Sequence, residues 1–143
     1  MRHLATLLAM SVLVGCSSSP VTRSQSQVER PAEALNPPVQ FLIAAAATDF
    51  HTHRPTYPAS FRDVHIGHVM TPDGEKQYML CGQFLPAQEG DKAEWTSFAT
   101  IKTFGYEQWI GAQAAGLCQR LSITWDKEGD LSSALQSELD SLQ

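Results

Sequence analysis

The sequence predicts an α+β fold: a small antiparallel sheet of about four strands with an N-terminal helix, a short middle helix and a C-terminal helix. Three observations predict it. Polar and apolar residues alternate on both sides of the turn Thr71-Pro72-Asp73-Gly74, an alanine-rich run fills 39–50, and leucines near the end of the chain recur at helical spacing. We expect the helices to cover one face of the sheet.

The first helix is predicted to begin at Asn36 and to end before Pro55. Asn36 is a favourable N-cap, and the two prolines that follow it are tolerated in a first helical turn. Alanine is the best helix former, and four alanines follow within this segment. The ring of Pro55 would clash with a preceding helical turn, so we expect the helix to stop there.

The strands are predicted to begin with a hairpin formed by 61–70 and 77–85. Pro72 presets φ in the turn between them, and Gly74 accepts a positive φ. A third strand is expected over 95–103, because alternate positions share one face, namely Trp95, Ser97, Ala99 and Ile101.

The C-terminal third is predicted to hold a short helix over 106–118, a fourth strand over 119–125 and a last helix. Apolar residues in the short helix fall at helical spacing: Trp109, Ile110, Ala114 and Leu117. Asp130 is the expected cap of the last helix, which carries a narrow stripe of Leu131, Leu135, Leu139 and Leu142.

The chain begins with a short cationic stretch and an apolar run over 4–14. A membrane-spanning helix needs about 20 residues, so the run is typical of a secretory signal instead. It ends in Leu13-Val14-Gly15-Cys16, which resembles the lipobox of bacterial lipoproteins. The resemblance implies that 1–15 are removed and that Cys16 carries lipid. Ser17 after the cysteine implies the outer membrane, and an ordinary signal with a coincidental cysteine is the alternative.

The mature chain divides into a tether over 16–36 and a single globular α+β domain over 37–143. The tether is rich in Ser, Gln and Pro and has too few large apolar side chains to offset the entropy of ordering it. Removal of the signal leaves nine basic and fifteen acidic residues, because Arg2 is the one charged residue in it. No basic patch appears, so we expect no nucleic-acid partner.

The two remaining cysteines, Cys81 and Cys118, are predicted to form a disulfide. An oxidising compartment favours that pairing. A reactive or metal-binding pair is the alternative, but neither cysteine lies in a Cys-x-x-Cys motif.

Metal binding and catalysis have little support. The histidines cluster in sequence, but their spacing does not bring three or four ligands onto one face: His51, His53, His65 and His68. The chain has no Gly-x-Ser-x-Gly motif, phosphate-binding loop or dinucleotide fingerprint. We therefore expect no enzyme activity and no cofactor.

Two sets of apolar residues are candidates for contact with a partner. The aromatic set is Phe104, Tyr106 and Trp109, of which Phe104 lies at a predicted break in structure. The helical set is Leu131, Leu135 and Leu139, which would suit a groove on a partner. For both sets the alternative is packing in the domain's own core.

A second likeness lies in the folded part. Phe61-Arg62-Asp63-Val64 followed by Cys81-Gly82 resembles a class of small bacterial envelope domains without a known activity. The chain departs from that class in the order of Ala59-Ser60 and lacks Gly-Gly-Tyr after Cys81-Gly82. The expectation is a lipid-anchored, non-catalytic interaction or assembly module in the envelope, facing the periplasm. The alternative is a metal- or small-ligand-binding module that uses the four histidines.

Overall fold

The computed structural model describes residues 35–53, 57–87 and 93–143. Within them lie the helices α1 (Pro37–Thr52), α2 (Ala112–Cys118) and α3 (Ser132–Ser141). The strands are β1 (Pro58–Met70), β2 (Lys76–Pro86), β3 (Thr96–Lys102), β4 (Tyr106–Ile110) and β5 (Thr124–Trp125). The predicted signal, Cys16 and the predicted tether up to residue 34 lie outside the described residues.

The described strands form one antiparallel sheet in the order β4-β3-β2-β1-β5. The β1–β2 hairpin turns at the predicted place, where Gly74 has a φ of 82° and donates its N–H to the carbonyl of Thr71 at 2.9 Å. The α+β class and the order of the three helices are confirmed, and the sheet has one strand more than the four expected.

Two predicted elements in the C-terminal third are wrong in their bounds. The segment 106–118 is not one helix, because its first five residues pair with β3 and the helix begins only after Gly111, at φ 74°. Apolar residues at 109 and 110 fit either a strand or a helix, and pairing with a neighbouring strand decided between them. The strand expected over 119–125 shrinks to Thr124–Trp125, which pairs with Gly67 and His68.

The helices cover both faces of the sheet, so the prediction of one covered face is also wrong. Helices α1 and α3 pack on the first face, over a core that includes Phe50, Val64, Ile66, Leu80, Phe84, Phe98, Leu135 and Leu139. Helix α2 lies on the second face, where a smaller cluster holds Met79, Cys81, Ala99, Ala114 and Ile123. Met79, Cys81 and Ala99 of this cluster alternate along β2 and β3 with Leu80 and Phe98 of the first face, as the period of two in a strand requires.

Helix α1 begins as predicted. The side chain of Asn36 accepts a hydrogen bond from the N–H of Val39 at 3.2 Å, and prolines occupy the first two helical positions. The residues that face the sheet are buried at helical spacing, and they are Val39, Leu42, Ala46 and Phe50.

Strand β1 contains a bulge between Arg62 and His65, where Asp63 has a φ of 53°. An extra residue in one strand of a pair bends that strand. The bulge leaves the N–H of Val64 pointing at the start of α3, where it donates a hydrogen bond to a carboxylate oxygen of Asp130 at 3.2 Å. The same carboxylate accepts hydrogen bonds from the N–H and the hydroxyl of Ser132. Asp130 therefore fixes the beginning of α3 to the bulge from one residue before the N-cap, which is Leu131 and not Asp130 as predicted.

Asp130 makes the stability of the domain depend on pH. The hydroxyl of Ser132 lowers the pKa of Asp130, and the backbone N–H groups of Ser132 and Val64 and the nearby His65 act in the same direction against desolvation. A carboxyl whose pKa is lower in the folded state binds more protons when unfolded, so its contribution is present above the usual pKa and lost as the pH falls.

We expect Asp130→Asn to reduce the free energy of unfolding by about 0.3–1 kcal/mol at neutral pH, because Asn keeps an acceptor oxygen but loses the negative charge that is favourable at a helix start. The difference from the wild type should shrink as the pH falls below about 4. Urea unfolding between pH 7 and pH 3 measures it. Asp73→Asn in the exposed β1–β2 turn is the control, and an equal pH dependence in both variants would contradict the assignment.

Candidate functional site

One edge of the sheet is formed by β4. No other described strand lies beside its outer side, because β4 is the last strand in the sheet order. The N–H of Gly111 donates a hydrogen bond to the carbonyl of Ser97 at 2.8 Å, and the carbonyl of Gly105 accepts one from the N–H of Thr103 at 3.1 Å. The backbone groups of 105 and 111 therefore face β3. Because strand residues alternate in the side to which their backbone groups point, 107 and 109 also face β3. Tyr106, Gln108 and Ile110 therefore direct their N–H and C=O groups outward.

Large apolar side chains surround this edge. Trp109 and Ile110 are each more than a third exposed. A shallow groove with a volume of about 370 Å³ runs between Trp109 and one side of α2, and it is lined by Trp109, Gln113, Gly116, Leu117 and Arg120. We call β4 together with this groove the β4 edge. Among the described residues, Arg120 has no carboxylate within ion-pair distance.

Two side chains of β4 that lie on the first face of the sheet hold the strand to α1 and β3. The hydroxyl of Tyr106 donates to a carboxylate oxygen of Asp49 on α1 at 3.4 Å. Burial raises the pKa of Tyr106, and the negative charge of Asp49 and the hydrogen bond to it raise it further. The side chain of Gln108 accepts from the buried hydroxyl of Thr100 at 2.8 Å. These two contacts hold β4 in place while its outer backbone groups stay open.

The predicted aromatic set is divided by the structure. Phe104 lies at the tip of the β3–β4 turn and is fully exposed, Tyr106 is half-buried against α1, and Trp109 lines the groove. All three lie on the β3–β4 hairpin. Gln113 and Arg120 were not predicted as site residues, because Gln113 was assigned to one continuous helix over 106–118 and Arg120 to a strand over 119–125, which gave no reason to place either beside Trp109.

The predicted helical set is taken up by the core. Leu131, Leu135 and Leu139 are buried against α1 and β1. Their side chains pack within the domain, which is the alternative that the sequence left open, and they offer no surface to a partner.

The four histidines lie at separate places. His51 and His53 end α1, His65 lies 3.1 Å from the carbonyl of Gly129, and His68 lies 3.1 Å from a carboxylate oxygen of Asp126. His68 is buried and its ring also packs on Tyr78. In the parts of the chain that the structure describes, no three His, Cys, Asp or Glu side chains come together as a metal ion would need.

Cys81 and Cys118 form the predicted disulfide, with an S–S distance of 2.00 Å. The bond joins β2 to the end of α2 and so fixes the short helix to the second face. A shallow cavity of about 220 Å³ lies beside it, lined in part by Asp63, His65 and Trp125. Because the disulfide fixes α2, it also positions the α2 residues that line the groove of the β4 edge.

Comparison with protein-family models, with curated proteins and with solved structures gives no match to this chain. None of the three described helices combines enough length with enough apolar character to span a bilayer. Function is therefore inferred from the sequence and from the geometry of the β4 edge.

Proposed function

We propose that the protein is a lipid-anchored component of the bacterial cell envelope that acts without catalysis, as an interaction or assembly module. In this proposal lipid on Cys16 holds it in the outer membrane, and the domain faces the periplasm. The observation that carries the interaction role is the open β4 edge, which combines unpaired backbone groups with exposed apolar side chains.

The anchor is supported by the apolar run that ends in Leu13-Val14-Gly15-Cys16. Two or three acyl chains are enough for firm attachment, because each buried methylene contributes about 0.8 kcal/mol. The Cys81–Cys118 disulfide fits the oxidising conditions outside the cytoplasm.

The interaction role is supported by the fact that most proteins protect their sheet edges from other strands. An exposed strand offers a row of donors and acceptors to another strand, so edges are commonly covered, shortened or charged. Strand β4 carries one charge, Glu107, between its apolar and aromatic residues. Strand addition gives affinity through main-chain hydrogen bonds and specificity through alternate side chains.

The alternative function, binding of a metal or small ligand through His51, His53, His65 and His68, needs several of these rings to converge. They lie apart in the described structure, and no observation favours that alternative over the β4 edge.

The anchor is tested by mass spectrometry of the full-length protein expressed in a bacterial host grown with labelled palmitate. We expect a mature chain that begins at Cys16 and carries the label, and Cys16→Ser should lose it. The double variant Cys81→Ala and Cys118→Ala is the control and should keep it. An unmodified amino terminus in the native protein would refute the anchor.

The interaction role is tested by a photo-crosslinking amino acid placed at Glu107 in living cells. We expect a crosslinked protein from this position and none from Ser137, which is exposed on α3 on the first face of the sheet. Absence of any crosslinked protein at Glu107 would count decisively against the role of the β4 edge.

A further inference from the structure

We propose that the partner of the β4 edge is a second copy of this chain, with β4 of one copy antiparallel to β4 of the other about a two-fold axis at Gln108. The proposal rests on the interaction role of the β4 edge and names its partner. The two sheets would then continue into each other across the interface.

The backbone of β4 fits this arrangement. The outward residues Tyr106, Gln108 and Ile110 are evenly spaced about Gln108. In the symmetric register Gln108 lies opposite its own equivalent, and Tyr106 lies opposite Ile110 at both ends. Each of these pairs exchanges both of its N–H and C=O groups, as directly opposite residues do in a hydrogen-bonded antiparallel pair. An isologous interface of this kind closes after two copies.

The side chains select this register over its neighbours. Glu107 of one copy lies directly opposite Trp109 of the other, on the face of the sheet that carries α2. A shift of one step towards the start of β4 would place Glu107 opposite its own equivalent, and like charges directly opposite are destabilising. A shift the other way would pair Glu107 with Gly111, which lies outside the strand at φ 74°.

The charge of Glu107 is complemented in the symmetric register. The side chain opposite Trp109 would lie beside the groove that Trp109 lines together with Gln113 and Arg120. Arg120 has no ion-pair partner among the described residues of its own copy. Glu107 of the second copy therefore supplies the carboxylate that the groove lacks, and the contact occurs twice by symmetry.

The size of the interface explains why anchoring matters. Strand β4 has five residues, and two short strands joined without further support are marginal in water. Attachment of both copies to one membrane makes their encounter partly intramolecular and raises the effective concentration. The dimer is therefore expected for the full-length acylated protein.

A cysteine experiment tests the register. Directly opposite residues of a non-hydrogen-bonded pair have Cα atoms about 4.5 Å apart, which a disulfide can bridge, whereas diagonal neighbours are about 7–8 Å apart. We expect a covalent dimer on a non-reducing gel when differently tagged full-length Glu107→Cys and Trp109→Cys chains are expressed in one cell. Each variant alone should give at least fivefold less. No covalent dimer from the mixture, or as much from either variant alone, would overturn the proposed register.

A charge exchange tests the contact without cysteines. We expect Glu107→Arg or Arg120→Glu to lower the recovery of a differently tagged copy in a pull-down of the full-length acylated protein at least tenfold. The double variant should recover most of the loss. Failure of the double variant to recover would overturn the contact between these two residues.

The outcomes separate this inference from the interaction role. A photo-crosslink from Glu107 to a different protein, together with no covalent dimer, would leave the interaction role in place and refute self-association. No crosslink of either kind would refute both.

Discussion

Removal of the Cys81–Cys118 disulfide is expected to lower the free energy of unfolding by about 4 kcal/mol. The bond spans 37 residues along the chain, and in the chain-entropy model a closed loop of that length restricts the unfolded ensemble by about this amount. A small domain has a total stability of about 5–15 kcal/mol, so the loss is a large part of it.

The double variant Cys81→Ala and Cys118→Ala measures this effect in urea unfolding. Alanine suits the buried position of Cys81 better than serine, because it introduces no unpaired hydroxyl. The wild-type protein in excess reductant should unfold at nearly the same urea concentration as the variant, and reductant should not change the variant further. A variant within about 1 kcal/mol of the oxidised wild type would show that the loop contributes little.

The same variant also tests whether the disulfide affects the geometry of the β4 edge independently of stability. The disulfide holds the end of α2, and that helix supplies one side of the groove beside Trp109. If the core on the first face keeps the variant folded, α2 loses its covalent attachment while β4 keeps its pairing with β3. We infer that the charge contact through Arg120 is then weakened before the strand pairing is.

The features that were predictable from sequence are those with local signals. Asn36 with two prolines marks the start of α1, and Thr71-Pro72-Asp73-Gly74 marks the β1–β2 turn; the structure places both there. The pairing of Cys81 with Cys118 followed from the count of cysteines once Cys16 was set aside. In the first two cases a few neighbouring residues decide the outcome, and in the third only two cysteines remain to pair.

The features that were missed depend on contacts between separate elements of the chain. Five residues of β4 are too few for a period of two to be told from a helical period, and their pairing with β3 decided the matter. The face chosen by α2 followed from the position of Cys81 on β2, which no pattern within α2 contains. The groove beside Trp109 and the position of Arg120 in it could not be predicted, because the groove forms only when β4 ends and α2 begins at Gly111.

The side-chain cluster on the first face also formed from distant residues, and Phe50 is at its centre. Its ring lies 4.9 Å from that of Phe84 and 5.3 Å from those of Phe61 and Phe98, measured between centroids. The rings meet in tilted or edge-to-face orientations, which aromatic pairs prefer. Phe50 is thus the point at which α1 joins three strands of the sheet.

Phe50→Ala is expected to lower the free energy of unfolding by about 3–5 kcal/mol, the usual loss when a buried phenylalanine leaves a cavity. Three rigid rings surround the site, so the space cannot easily close. Phe41→Ala on the same helix is the matched control. Its ring is more than a third exposed and lies under the amine of Lys102, so its loss should be about 1 kcal/mol or less. Urea unfolding of both variants measures the difference, and equal losses would mean that α1 is not held to the sheet through Phe50.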